Sequence, residues 1–145
     1  MEPIRIKKLN SNAVVPTYGS PEAAGADLYA CLEDDVMIPA GKTVFVPTGL
    51  AIEVPKGCAG LIFARSSMGA KRGLAPANKV GVIDSDYRGQ VMVALHNHGM
   101  DDQIVHPGER VAQLLITPVF TPGFLEVNDL SDTERGTGGF GSTGR

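Results

Sequence analysis

Hydrophobic positions in this chain come in short runs, several of them alternating with polar positions in steps of two. The runs are Ile4–Leu9, Asp27–Cys31, Thr43–Val46, Leu50–Val54, Gly60–Ala64, Gln90–His96, Gln103–His106 and Arg110–Phe120. They are rich in β-branched residues, as in Gln90-Val91-Met92-Val93-Ala94-Leu95, which suits a pleated, half-buried surface. Turn signals stand between them, among them Pro39-Ala40-Gly41, Pro55-Lys56-Gly57 and Pro107-Gly108-Glu109. Short strands punctuated in this way predict an all-β sandwich or barrel. Only Ser66–Arg72 reads as a helical turn, so there is no helix layer to cover a parallel sheet. After about Glu126 the chain becomes polar and then glycine-rich, which sets the expected organisation: an all-β domain over 1–130 and a C-terminal arm over 131–145.

Composition narrows the partners. At 145 residues, 43% of them hydrophobic, the chain can fill one core. A net charge of -3 argues against binding to a nucleic-acid backbone, which wants a basic surface, but leaves room for a small anion held by a local cluster of donors. No apolar run is long enough to span a membrane, and the start carries no secretory pattern, so a cytoplasmic location is expected. Cys31 and Cys58 form neither a metal-ligand spacing nor a disulfide framework and are expected to be buried apolar residues.

Several segments carry candidate chemistry. Arg65-Ser66-Ser67 follows an apolar strand; either serine could cap the helical turn, whose first N–H groups favour an anion, and Arg65 adds a forked cation suited to phosphate. In Gly81-Val82-Ile83-Asp84-Ser85-Asp86-Tyr87-Arg88-Gly89, glycines bracket two carboxylates and a tyrosine. Extended chain would project Asp84 and Asp86 to one face, with Ile83 holding Asp84 beside the apolar interior, where a charge usually has a job. A carboxylate beside a ligand can deprotonate a water. Gln113 sits in the apolar run Val111–Ile116 and must find a partner, structural or ligand; a regular strand would put Arg110 on the opposite face. Asp27, at the start of a strand, could hold magnesium through water. His96, His98 and His106 imitate a zinc set, but no second-shell carboxylate pattern accompanies them, and polar loop positions are the better reading. The tail Arg135–Arg145 cannot pack as a helix or core strand, because glycine loses too much backbone entropy there. By itself it reads better as a frayed end than as a lid.

In order and spacing, these segments resemble the five motifs of the homotrimeric deoxyuridine triphosphatases (dUTPases), over nearly the whole chain. The resemblance implies a trimer of jelly-roll-like β subunits with active sites at the subunit interfaces. It implies magnesium-assisted hydrolysis of dUTP to dUMP and pyrophosphate, which limits dUTP and supplies dUMP for dTMP synthesis. Asp84 matches the acid that activates the attacking water, and Asp27 the acid that holds Mg2+ through water. Asn78, Gly81, Val82, Ile83 and Tyr87 match the hairpin that reads uracil and deoxyribose, with the Tyr87 ring beneath the sugar where a 2′-OH would clash. Arg65, Ser66, Ser67 and Gln113 match phosphate contacts. In the tail, Arg135, Gly141, Ser142 and Thr143 match the phosphate-binding arm, and Phe140 the ring that stacks on uracil. One departure is Ala64, where the family usually has proline; its loss loosens that turn without removing a contact. The rivals are dCTP deaminase, which shares the fold but acts at the base, and a nucleotide-sensing module that reuses the fold without turnover. The hairpin from Asp84 to Gly89 and the complete tail favour the triphosphatase.

Overall fold

Alternation in sequence becomes alternation in burial most plainly in Met92–Asn97, where Val93, Leu95 and Asn97 point inward while Met92 is exposed. The computed structural model describes residues 2–140. In chain order the strands are β1 (Ile6–Lys8), β2 (Thr17–Tyr18), β3 (Ala26–Tyr29), β4 (Val36–Ile38), β5 (Thr43–Pro47), β6 (Leu50–Ile52), β7 (Cys58–Phe63), β8 (Leu74–Pro76), β9 (Gly81–Ile83), β10 (Met92–Asn97), β11 (Gln103–Val105) and β12 (Arg110–Pro118). One short helix, Ser67–Lys71, stands between β7 and β8. Among the described residues the fold is therefore all-β with a single short helix, as the sequence pattern predicts.

A five-stranded sheet in the order β2-β3-β12-β7-β9 and a three-stranded sheet β5-β10-β8 form the frame, with the pairs β1-β6 and β11-β4 beside them. All pairings are antiparallel. Both larger sheets feed one core: Leu28, Ile62 and Leu114 from the first join Val46, Leu74, Val93 and Leu95 from the second. Each fully buried side chain of this size contributes on the order of 1.5–3 kcal/mol. The two buried polar residues among those described, Thr48 and Asn97, are fully provided for. Asn97 donates to the carbonyls of Ile38 and Asp101 and accepts from Gly99 N–H, and Thr48 donates to the Val91 carbonyl.

Three expectations are corrected. Cys31 and Cys58 are half-buried at the edge of the core, because both sit where loops meet it. Neither serine caps the helix through its side chain: Ser66 already has helical backbone angles (φ -55, ψ -42), which turn its hydroxyl away from the capping position. β12 is not regular. Its pairing with β3 slips between Arg110 and Ala112, so that Val111 and Ala112 are both buried. This one-residue bulge brings Arg110 to the same side as Gln113, where a regular strand would oppose them.

The last described strand ends at Pro118, and residues 119–137 run exposed. Phe120, Phe124, Leu125 and Leu130 are all more than four-fifths accessible. Among the described residues, no helix is long and apolar enough to cross a membrane.

Candidate active site

Strand β9 is an edge strand, paired with β7 through Gly60–Ile83, Leu61–Val82 and Ile62–Gly81. Its outer side therefore offers backbone donors and acceptors that no neighbouring strand uses. A tight turn precedes it: Lys79 N–H donates to the Pro76 carbonyl and Val80 N–H to the Asn78 carbonyl, with Lys79 at φ 66. A second turn follows, closed by Tyr87 N–H donating to the Asp84 carbonyl at 3.2 Å. The Tyr87 hydroxyl donates to the Gln90 carbonyl at 2.9 Å, folding the ring back over Gly89. Only glycine permits this: a β-carbon at residue 89 would lie 2.4 Å from the Tyr87 hydroxyl oxygen.

These turns enclose a cavity of about 360 Å³. Asn78, Gly81, Val82, Ile83, Asp84 and Tyr87 all line it, so the predicted nucleoside hairpin comes together as one surface. Asp84 is exposed at this surface rather than held in the apolar interior. The expected pairing of Asp84 and Asp86 on one extended face also fails. β9 ends at Ile83 and the chain turns there, so period-two alternation does not continue. Phe45, Ile62, Gln90, Val91 and Met92 complete the wall. The sequence gives no sign of Phe45, because its place beside the hairpin depends on β5 pairing with β10.

A second concavity, of about 260 Å³, lies among Gly25, Asp27, Arg65, Ser66, Arg110 and Gln113. Asp27 is its anchor. Arg65 Nε donates to Asp27 Oδ1 at 2.7 Å and Arg110 Nη1 to Oδ2 at 3.3 Å. The Asp27 side chain is 13% exposed and that of Arg65 22%. Two guanidinium groups on one carboxylate leave the cluster with a surplus positive charge, as an anion site needs. The β12 bulge is what recruits Arg110, which spacing alone had placed on the other face. Gln113, in register with Asp27, donates from Nε2 to the Ala64 carbonyl at 2.9 Å, so its partner is structural at this atom. Its Oε1 presses so close to Gly25 that a β-carbon there would sit 2.6 Å away. Ser67 Oγ accepts from Arg65 Nη1 at 3.3 Å, while Ser66 opens onto the concavity.

Among the described residues, the two surfaces share none. Asp27, Gln113, Phe63 and the β9 strand lie in sequence across the five-stranded sheet. The three strand spacings amount to about 14 Å, and the offset along β7 from Phe63 to Gly60 adds about 10 Å at right angles. Arg135 and Phe140 line neither surface; Arg135 Nε donates to the Gly138 carbonyl at 2.7 Å within its own segment, and the Phe140 ring is exposed. Gly141, Ser142 and Thr143 lie outside the described residues. His96 meets the Thr43 hydroxyl at 2.9 Å and His106 the Asp35 carboxylate at 2.7 Å.

Comparison with known proteins converges on one family. The dUTPase family profile matches residues 11–144. A deoxyuridine 5′-triphosphate nucleotidohydrolase of Syntrophotalea carbinolica is 44% identical over 141 residues, covering 97% of this chain and 96% of its own. One of Desulfitobacterium hafniense is 50% identical over 131 residues, covering 90% and 87%. Among solved structures, the dUTPase of Staphylococcus bacteriophage 80alpha with dUpNHpp superposes with a TM-score of 0.90 at 26% identity, over 100% of both chains.

Proposed function

This chain belongs to the dUTPase family, and on that premise we propose that it is a dUTP diphosphatase that converts dUTP and water to dUMP and pyrophosphate. The observation that carries the reading is the cavity under β9, where an edge strand, Asn78, the Tyr87 ring and the Asp84 carboxylate face one space. An edge strand can pair with a pyrimidine as it would with another strand, and Asn78 adds a side-chain amide. Tyr87 closes the sugar end and disfavours a 2′-hydroxyl.

Asp84 is the general base. It takes a proton from water as the oxygen attacks the α-phosphorus; the bond from that phosphorus to the bridging oxygen breaks, and pyrophosphate leaves with the electron pair. Arg65, Ser66 and Gln113 bind the phosphates, with Arg110 beside them. Their task is to hold the chain in line with the water and stabilise charge on the leaving group.

Magnesium is the proposed cofactor. Among the described residues, no group of three or more His, Cys, Asp or Glu side chains is placed to bind a metal directly. Asp27 gives each carboxylate oxygen to one arginine, which leaves lone pairs for a water. That donor set fits an ion carried by the triphosphate and keeping much of its hydration shell. Bound there, magnesium would supply charge neutralisation on the phosphates.

The distance between the two surfaces supports active sites shared between copies. A base reaches its reacting centre directly or through one water, so Asp84 and the arginines of the same copy cannot serve one phosphate chain. A homotrimer, with the hairpin of one subunit facing the Asp27 cluster of another, brings the halves together. The exposed apolar side chains after Pro118 suit an extension that packs on a neighbour. In this reading residues 1–130 form the domain and 131–145 the arm that closes over the site, with Arg135, Ser142 and Thr143 on the phosphates and Phe140 on the base.

The test is hydrolysis of dUTP with magnesium, with UTP and dCTP as comparators. A site built to hydrogen-bond one base leaves polar groups unmet by another, and discrimination on the order of 10⁴-fold in kcat/KM is expected. The product should be pyrophosphate, with no ammonia. Comparable rates on all three nucleotides would contradict the assigned cavity.

A further inference from the structure

Arg72 stands at the far end of the helical turn from Arg65, outside both surfaces, yet each nitrogen of its guanidinium is engaged. Nε donates to Gln103 Oε1 at 3.0 Å, Nη1 to the Glu109 carboxylate and Nη2 to the Ile104 carbonyl. Nη1 also lies 3.4 Å from Met68 Sδ. The ion pair is largely shielded, with Arg72 27% and Glu109 23% exposed at the side chain. Glu109 is tied down further: Oε2 accepts the His106 N–H, and its carbonyl accepts the Ala30 N–H at 2.8 Å.

These bonds join the 65–72 segment to the residue immediately before Arg110. Where the same two segments meet β3, Arg65 and Arg110 converge on Asp27. Two like charges on one carboxylate repel, so their spacing depends on how firmly the backbones that carry them are held. Bonds to a charged, part-buried group are among the stronger ones in a fold.

We propose that Arg72 is a positioning residue for the phosphate cluster: through Glu109 it fixes the 65–72 segment against the start of β12 and so sets the spacing of Arg65 and Arg110 for an oligophosphate ligand. The inference rests on the phosphate role given to that cluster above. Neither spacing nor composition points to Arg72, because its partners lie more than thirty residues away.

The test uses the full-length chain, with Arg72→Met and Glu109→Gln made singly and together. Magnesium pyrophosphate probes the phosphate cluster, 2′-deoxyuridine probes the cavity under β9, and thermal unfolding reports stability. Arg72→Met should bind pyrophosphate about tenfold more weakly, a typical coupling within one network. Deoxyuridine affinity should stay within about twofold, since distant sites are nearly independent. Removing both partners strands no charge, so the double variant should regain thermal stability while pyrophosphate binding remains weak. That variant keeps the test open where Arg72→Met alone fails to fold. Unchanged pyrophosphate affinity in Arg72→Met overturns the inference. So does a double variant that regains affinity together with stability, because the loss would then come from the stranded carboxylate. An unaltered chain that hydrolyses dUTP but whose variants bind normally sinks this inference alone; an unaltered chain that binds no pyrophosphate sinks the phosphate reading with it.

Discussion

Asp84→Asn should bind dUTP normally and turn it over about 10²–10⁴-fold more slowly, the contribution of a positioned general base. The substitution changes little else. Asparagine keeps the shape and one acceptor oxygen, and the bond that closes the turn runs from Tyr87 N–H to the backbone carbonyl of residue 84, which the side chain does not touch. Because Asp84 is exposed, its replacement strands no buried partner. What disappears is the capacity to accept a proton. Calorimetric binding of dUpNHpp together with single-turnover release of pyrophosphate separates the two effects. Full turnover in the variant would remove Asp84 from the mechanism.

A chain ending at Glu134 should keep its fold and assembly and lose activity by on the order of 10²–10³-fold, the scale of losing a charge-stabilising donor at the reacting centre. Residues 135–140 contribute little to the body: Arg135 bonds within its own segment, and Phe140 is fully accessible. Their removal therefore takes no buried area from the core, and the thermal midpoint should not move. A truncated chain with near-normal kcat would make the segment a loose end.

Much of the fold is legible in the order of residues, for identifiable reasons. Runs such as Gln90–His96 and Arg110–Phe120 are long enough for alternation to show, and both became strands. Thr17–Tyr18, Val36–Ile38 and Leu74–Pro76 span two or three residues, too few for any period to register, and only their distant partners make them strands. The side chains of the hairpin were legible because they come from one continuous stretch. The bulge in β12 was not: the pairing with β3 creates it, and it alone puts Arg110 beside Gln113. Local spacing could not show the separation of Asp84 from Asp27 either. The sheet order β3-β12-β7-β9 arises from pairings between residues dozens of positions apart.

In the proposed assembly, that sheet order also divides ownership of the reaction. When the base comes from one copy and the arginines from another, a subunit damaged only at Asp84 still gives its neighbour sound arginines. One damaged only at Arg65 still gives a sound base. Two chains that are inactive alone can then complement each other in a mixed assembly, at the junctions where their intact halves meet. A single copy damaged in both halves, conversely, would spoil the junctions on both of its sides, so an allele of that kind would be felt beyond its own share of the protein.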